Sequence, residues 1–139
     1  MLKHAELTEI TIGAFYAVYS GLGYGFLEKV YENALAHELT RRGLRVKQQE
    51  RIFVHYDGRL VGDYYADILV EEKIILELKA TEELNEAFTA QLMNYLKATK
   101  CEVGYVLNFG PEPKYERRYF SNERKKHGRT NPRQSVQSA

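Results

Sequence analysis

Two charged residues interrupt an aliphatic run in the middle of the chain. The run reads IILELKA over residues 74–80 and contains Glu77 and Lys79. A strand points alternate side chains to one face, so both charged groups share a face while Leu76 and Leu78 fill the other. A buried charge is costly unless it is paired or bound to a metal ion. This pair of charged residues therefore needs a compensating partner.

A further acid lies in the preceding apolar segment. Asp67 stands in VGDYYADILV, and the Glu-Glu pair that follows marks a tight connection to the next strand. A tight connection makes the two strands adjacent and antiparallel, and this pairing would bring Asp67 near Glu77. Two carboxylates with no arginine in reach repel each other. A divalent cation such as Mg²⁺ removes that repulsion, can polarise a phosphate and helps to ionise a water, which Lys79 could orient. The alternative is a plain salt bridge between Lys79 and either acid.

Two helical stretches offer more polar groups. In GFLEKVYENAL, Glu28 and Glu32 lie one turn apart on one helix face, and we expect one of them, Glu28 in preference to Glu32, to reach the same site. In QLMNY, Gln91 and Tyr95 share the core-facing side of a helix, where a buried glutamine needs a polar partner. The alternatives are a surface acid at a helix N-terminus and a glutamine at the helix margin.

The pattern of apolar residues predicts eight elements in the order ααβββαββ. The helices are expected over 5–19, 26–42 and 84–99, and the strands over 45–56, 59–70, 73–80, 102–109 and 114–120. The Asp57-Gly58 pair predicts a hairpin turn between the first two strands. This order predicts an α/β (α+β) fold, in which helices cover a central mixed β-sheet. We expect one domain over 1–120 and a disordered, basic, polar tail over 121–139.

Composition limits the class of protein. The 139 residues suit one domain, and no apolar run approaches the roughly 20 residues that cross a bilayer, so we expect no membrane association. Cys101 is the single cysteine, and a reducing cytoplasm is the simplest setting. Residues 1–111 carry 12 Lys/Arg against 16 Asp/Glu, whereas residues 112–139 carry 8 against 3. The basic end could meet phosphates through Lys125 and Lys126, or it could be a solvated tail.

These motifs together resemble the PD-(D/E)XK nuclease superfamily and, more closely, its small GxxExxY branch. The resemblance covers about residues 5–120, and the residue before the aspartate is Ala66 where the superfamily name has proline. It implies a restriction-endonuclease-like core and cleavage of phosphodiester bonds by a water activated by Mg²⁺ or Mn²⁺. The matching residues are Gly25, Glu28, Tyr31, Asp67, Glu77, Lys79, Gln91 and Tyr95.

The resemblance also implies a role for each matching side chain. Asp67, Glu77 and the backbone carbonyl of Leu78 would bind the metal, and Glu28 would bind it directly or through water. Lys79 would assist the nucleophile or stabilise the charged phosphorane. Gln91 would orient the substrate or the site, with support from Tyr95, and Tyr31 is the supporting tyrosine of the GxxExxY motif.

Two functions of different classes are therefore expected. The first is a metal-dependent nuclease that hydrolyses DNA in preference to RNA. The alternative is a non-catalytic module that binds nucleic acid or a protein partner through the same fold. A homodimer would help a small nuclease to meet both strands of a duplex, and this expectation rests on analogy.

Overall fold

Five strands form one sheet with helices on both of its faces. A computed structural model describes residues 4–125. The elements in chain order are α1 (Ala5–Leu22), α2 (Glu28–Arg41), β1 (Val46–Tyr56), β2 (Arg59–Val70), β3 (Ile74–Lys79), α3 (Glu86–Ala98), β4 (Val103–Phe109), β5 (Pro113–Tyr119) and a short 3₁₀ helix (Asn122–Arg124). This confirms the predicted order and the predicted mixed sheet with flanking helices.

The strands lie side by side in chain order, from β1 to β5. The pairs β1–β2, β2–β3 and β4–β5 are antiparallel, whereas β3 and β4 are parallel and α3 makes the crossover between them. The hairpin turn between β1 and β2 falls at Asp57-Gly58, where both residues have positive φ, as a type I′ turn requires.

Two hydrophobic clusters occupy the two faces of the sheet. Helices α1 and α2 pack Phe15, Tyr31 and Leu35 against one face, and α3 packs Leu92 and Leu96 against the other. The central strands β3 and β4 are buried almost throughout, as expected for a parallel pair that is covered on both faces.

The packed part of the chain extends beyond the predicted boundary at residue 120. Phe120 and Lys125 are buried, and the 3₁₀ helix lies between them. The expected disorder is therefore corrected for 121–125, because these residues pack back on the loop that precedes β4. The same expectation for 126–139 lies outside the described residues.

A buried asparagine holds the end of β3 in place. The Asn108 side chain accepts a hydrogen bond from the Thr81 amide at 3.0 Å and donates one to the Thr81 carbonyl at 3.1 Å. Gly110 makes room for this contact, since a Cβ at that position would lie 2.2 Å from the Thr81 carbonyl oxygen. The chain that follows Lys79 is thereby fixed against β4.

We predict that Gly110→Ala destabilises the protein by about 1–3 kcal/mol, because the added methyl group must displace backbone in a packed region. Gly21→Ala is the control, since a Cβ at this position of α1 meets no atom within 4 Å. Thermal unfolding of both variants would measure the difference. Equal melting temperatures for the two variants would contradict the predicted close approach.

Candidate active site

Asp67 and Glu77 meet where β2 separates from β3. The backbone pairing of these strands ends at Ile68 and Leu76, and the next pair in register would be Asp67 and Glu77. From this point the side-chain carboxylates replace backbone carbonyls as hydrogen-bond acceptors. Asp67 Oδ2 accepts a hydrogen bond from the Leu78 amide at 2.7 Å, and Glu77 Oε2 accepts one from the Asp67 amide at 3.1 Å. Each carboxylate is thus hydrogen-bonded to the backbone of the strand that carries the other acid.

Burial and mutual repulsion raise the pKa values of both acids. Glu77 is only 5% exposed, and its burial, followed by the charge of Asp67, raises its pKa to about 8. The pKa of Asp67 is raised chiefly by burial, which outweighs the hydrogen bond from the Leu78 amide. The charge of Lys79 lowers both pKa values without reversing either shift. Without a cation, Glu77 is therefore mostly protonated at neutral pH.

A third acid approaches this pair from α2, and it is Glu32 rather than Glu28. Glu32 is buried and accepts hydrogen bonds from Gln48 at 2.8 Å and from Gln49 at 2.9 Å. Its charge raises the pKa values of Asp67 and Glu77.

Glu28, which the sequence favours for the site, has a different environment from Glu32. Glu28 is the first residue of α2 and is exposed to solvent, whereas Glu32 lies one turn further along the helix, where the helix covers the sheet. Both residues fall on the same stripe of the helix, so helical spacing alone cannot separate them.

The side chains of β1 and β2 change from one face of the sheet to the other near the site, and Gln49 lies at this change. Gln49 has a left-handed backbone with φ 54°, a conformation that costs a residue other than glycine roughly 1–2 kcal/mol. Gln48 contacts α2, yet Ile52 packs on the α3 side, although a regular strand would place both on one face. On β2, Ile68 and Ala66 likewise belong to opposite clusters. The residue between these two is the site aspartate.

Gln49 is a site residue that the sequence reasoning missed. Its side-chain amide donates to Glu32 at 2.9 Å and lies 3.4 Å from Asp67 Oδ1, so it bridges the acids of α2 and β2. The available signal was a pair of glutamines at the centre of a predicted strand. Strained backbone of this kind is found preferentially at functional sites.

Lys79, Gln91 and Tyr95 lie on the α3 side of the gap between β2 and β3. The Lys79 ammonium lies 4.6 Å from the centre of the Phe88 ring, and the Gln91 amide donates to the Tyr95 hydroxyl at 3.0 Å. Burial, followed by the charge of Glu77, raises the pKa of Tyr95 to about 12, so this phenol keeps its proton. The structure thus brings these three side chains to the same region as the acids.

Tyr31 lies outside this constellation and holds the loop before α2. Its hydroxyl donates to the Gly23 carbonyl at 2.5 Å and accepts from the Phe26 amide at 3.2 Å. Its ring stacks on Phe109, with centroids 4.4 Å apart. Tyr31 therefore sets the position at which α2 begins and, through it, the position of Glu32.

The comparison with protein families agrees with this geometry. A family model described as the PD-(D/E)XK nuclease superfamily matches residues 5–120. The chain belongs to this superfamily. No curated protein and no solved structure gives a match.

The residues predicted to form the motif of the superfamily lie in this region. The sequence predicts Asp67 as the aspartate of the motif, with Ala66 in the position of its proline, and Glu77, Leu78 and Lys79 as its E-X-K element. The mixed sheet with flanking helices is the restriction-endonuclease-like fold of the superfamily. Membership of the PD-(D/E)XK superfamily indicates a nuclease.

The donor atoms of the PD-(D/E)XK site suit a hard cation. Asp67, Glu77 and Glu32 offer carboxylate oxygens, and their mutual repulsion would be relieved by positive charge. Between residues 4 and 125, no group of three or more His, Cys, Asp or Glu side chains is gathered to hold a metal ion. Mg²⁺ is usually bound by one or two carboxylates together with waters and substrate phosphates. A pair of adjacent acids therefore fits Mg²⁺ or Mn²⁺.

The predicted phosphate contact of Lys125 is corrected by the structure. Its ammonium is buried and donates to the backbone carbonyls of Thr99 and Cys101 and to the side chain of Asn122. Burial lowers its pKa. This lysine binds the backbone of the loop before β4 instead of facing solvent, and Lys126 lies outside the described residues.

A membrane-spanning helix would need a long apolar segment, and none of the helices between residues 4 and 125 has one.

We predict that the metal-free protein loses stability as the pH rises from about 4.5 to about 8. Glu77 titrates near 4.5 in the unfolded chain and near 8 in the folded one, so the folded state binds the extra proton in this range. The stability it contributes is complete below the unfolded pKa and is lost as the pH rises through the folded pKa. Asp67, whose pKa is also raised, acts in the same direction.

Urea unfolding in EDTA at pH 5 and pH 8 would measure this loss of stability. Glu77→Gln should reduce the difference between the two pH values, because glutamine keeps the shape but does not titrate. Glu9→Gln, on the exposed face of α1, should retain the wild-type difference. An identical pH dependence in wild type and Glu77→Gln would show that Glu77 is not the titrating group.

Proposed function

We propose that this protein is a metal-dependent nuclease that hydrolyses phosphodiester bonds, with DNA as the preferred substrate over RNA. The observation that carries the proposal is the pairing of Asp67 and Glu77 at the gap between β2 and β3, where the charges of Glu32 on α2 and Lys79 on β3 both act on them. Buried acids of like charge are costly, so a fold that gathers them points to a bound cation.

Asp67, Glu77 and the carbonyl of Leu78 are the proposed metal donors, and Glu32 takes the place expected for Glu28. Bound Mg²⁺ or Mn²⁺ would supply polarisation of the phosphate and a water of lowered pKa. The chain's own residues hold the remaining parts of the reaction. Lys79 places a positive charge beside the acids, where it can orient the attacking water or stabilise charge on the phosphate.

Gln91 and Tyr95 are proposed to position the site rather than to exchange protons. Tyr95 keeps its proton because its pKa is about 12, and Gln91 does not titrate. Their hydrogen bond fixes the amide of Gln91 on the side of the gap that faces α3. From there the amide can orient either a phosphate oxygen or the water that attacks it.

We also propose membership of the GxxExxY branch. It is supported by the order of Gly25, Glu28 and Tyr31 and by the role of the tyrosine in holding the loop. In this interpretation Tyr31 sets the start of α2, and Glu32 supplies the acid that reaches the site.

A non-catalytic nucleic-acid-binding module is the second candidate. It is favoured by one observation: within residues 4–125, no three potential ligands gather as a metal cage. In that case the protein would bind nucleic acid with a steep dependence on salt, since phosphate contacts release counterions. Binding with no cleavage in either Mg²⁺ or Mn²⁺ would favour this candidate.

We predict that the full chain cleaves DNA in Mg²⁺ or Mn²⁺ and that EDTA stops the cleavage. Glu77→Gln should abolish the activity because it removes the negative charge of a metal donor, and Lys79→Ala should lower the rate by about 10²-fold or more. Lys114→Ala, an exposed cation on β5, is the matched control for Lys79. Gel assays with labelled DNA and RNA give the rates. Cleavage that survives both site substitutions would discard the assignment.

We predict that Glu32→Gln lowers the cleavage rate by about 10- to 100-fold, the usual cost of losing a supporting contact at a metal site. Glu28→Gln, one turn away and exposed, should leave the rate close to that of wild type. The two variants make the same chemical change on the same helix stripe, and thermal melting of both establishes that the variant at the buried Glu32 is folded. The reverse order of effects would restore Glu28 to the site.

A further inference from the structure

A groove of about 1500 Å³ lies between the far half of the β1–β2 hairpin and α3. It arises because β1 and β2 have 11 and 12 residues, whereas β3 has only 6, so the hairpin extends past the rest of the sheet. Lys79 is one of its lining residues, so the groove leads directly to the candidate active site.

A half-exposed tyrosine ring forms part of the hairpin wall. The ring of Tyr64 is 47% exposed and lies 5.9 Å from the ring of Tyr95, centroid to centroid. It rests over Gly62, where a Cβ would lie only 2.7 Å from the ring and 3.2 Å from the Cβ of Val54. The absence of a side chain at residue 62 therefore allows the ring to lie close to its own strand, and the half-exposed ring is accessible from the groove.

The neighbouring tyrosine has a different environment. Tyr65 is 46% exposed, yet it points to the opposite face of the hairpin, away from the groove. The Arg51 guanidinium lies 5.5 Å from the centre of its ring and pairs with Asp63 at 2.8 Å. Two adjacent tyrosines of nearly equal exposure thus differ in what they can contact, and only Tyr64 lines the groove.

We infer that this groove binds single-stranded DNA, with the Tyr64 ring stacked on an unpaired base. The inference rests on the proposed nuclease function and names its substrate class. Aromatic rings bind unpaired bases through their faces, which a duplex conceals in its own stack. Lys79 and Lys97 line the groove against a single acid, Asp57, so the charge suits a phosphate backbone.

The remaining lining residues suit an unpaired strand. Gln91 and Asn94 offer amides that can bond to the exposed edges of bases. Val54, Val61 and Ala87 add apolar surface between these polar groups.

The test is fluorescence anisotropy with the wild-type full chain in EDTA, so that binding is measured without cleavage. The probes are a labelled mixed-sequence DNA strand of about ten nucleotides, its duplex, and the RNA strand of the same sequence. We expect the DNA strand to bind at least about tenfold more tightly than the duplex and more tightly than the RNA. A duplex or RNA that binds as tightly would overturn the inference, as would no binding at all.

Substitutions locate the contact. Tyr64→Ala should weaken binding of the DNA strand by about 5- to 100-fold, the usual loss for one stacked base, and Tyr64→Phe should retain binding. Tyr65→Ala is the matched control and should bind within about twofold of wild type, because its ring faces away from the groove. Equal losses for Tyr64→Ala and Tyr65→Ala would overturn the assignment. Gly62→Ala, which keeps the tyrosine but displaces its ring, should also weaken binding.

Thermal melting of each variant establishes that it is folded before binding is compared. The outcomes separate this inference from the nuclease proposal. Strand binding without cleavage in Mg²⁺ would leave the groove assignment intact and remove the catalytic one. Cleavage of duplex DNA with no preference for the single strand would do the opposite.

Discussion

The separation of β2 from β3 after a short antiparallel ladder is the constraint on which the site depends. Beyond Ile68 and Leu76, side-chain carboxylates replace the backbone partners that a continuing ladder would provide. The amides of Asp67 and Leu78 remain hydrogen-bonded, as buried backbone groups must be. The cost is that two carboxylates are held close together away from water. This burial and repulsion disfavour the charged forms and therefore raise the pKa values of both acids.

The same opening gives two helices on opposite faces of the sheet access to one region. Glu32 approaches from α2, while the charge of Glu77 acts on Tyr95 of α3. A continuous sheet would separate these two sets of side chains by its full thickness. The left-handed backbone at Gln49 belongs to this arrangement, since the neighbouring strand residues change faces at the point where the acids meet.

Strand length links the site to the groove beside it. The short β3 ends with the charged residues of the site, and the longer hairpin continues past it toward solvent. Within residues 4–125, the far half of the hairpin consequently has no strand partner on its β2 side, and α3 forms the opposite wall of the groove. Lys79 belongs to both regions, which places the end of the groove next to the acids. A substrate strand bound there would thus lead directly to the charges that act on it.

The element order, the hairpin turn and the acids of the strands could be predicted from the sequence alone. These features follow from local causes: the period of apolar residues, the positive φ of an Asp-Gly turn and the cost of charge inside a buried strand. The two-residue period also predicted that Glu77 and Lys79 would share a face opposite Leu78, and Leu78 packs in the cluster with α1 and α2.

Three features depend on tertiary contacts: the burial of Glu32 but not Glu28, the contacts of Gln49 with the acids and the burial of Lys125. The two glutamates are equivalent by helical spacing, and only the position of α2 over the sheet exposes one and buries the other. Gln49 joins the site through a backbone conformation that alternation along a strand does not anticipate. Lys125 appears as a surface charge in a basic run until backbone carbonyls distant in sequence surround it. In each case the deciding contact joins segments that are far apart along the chain, which no local pattern records.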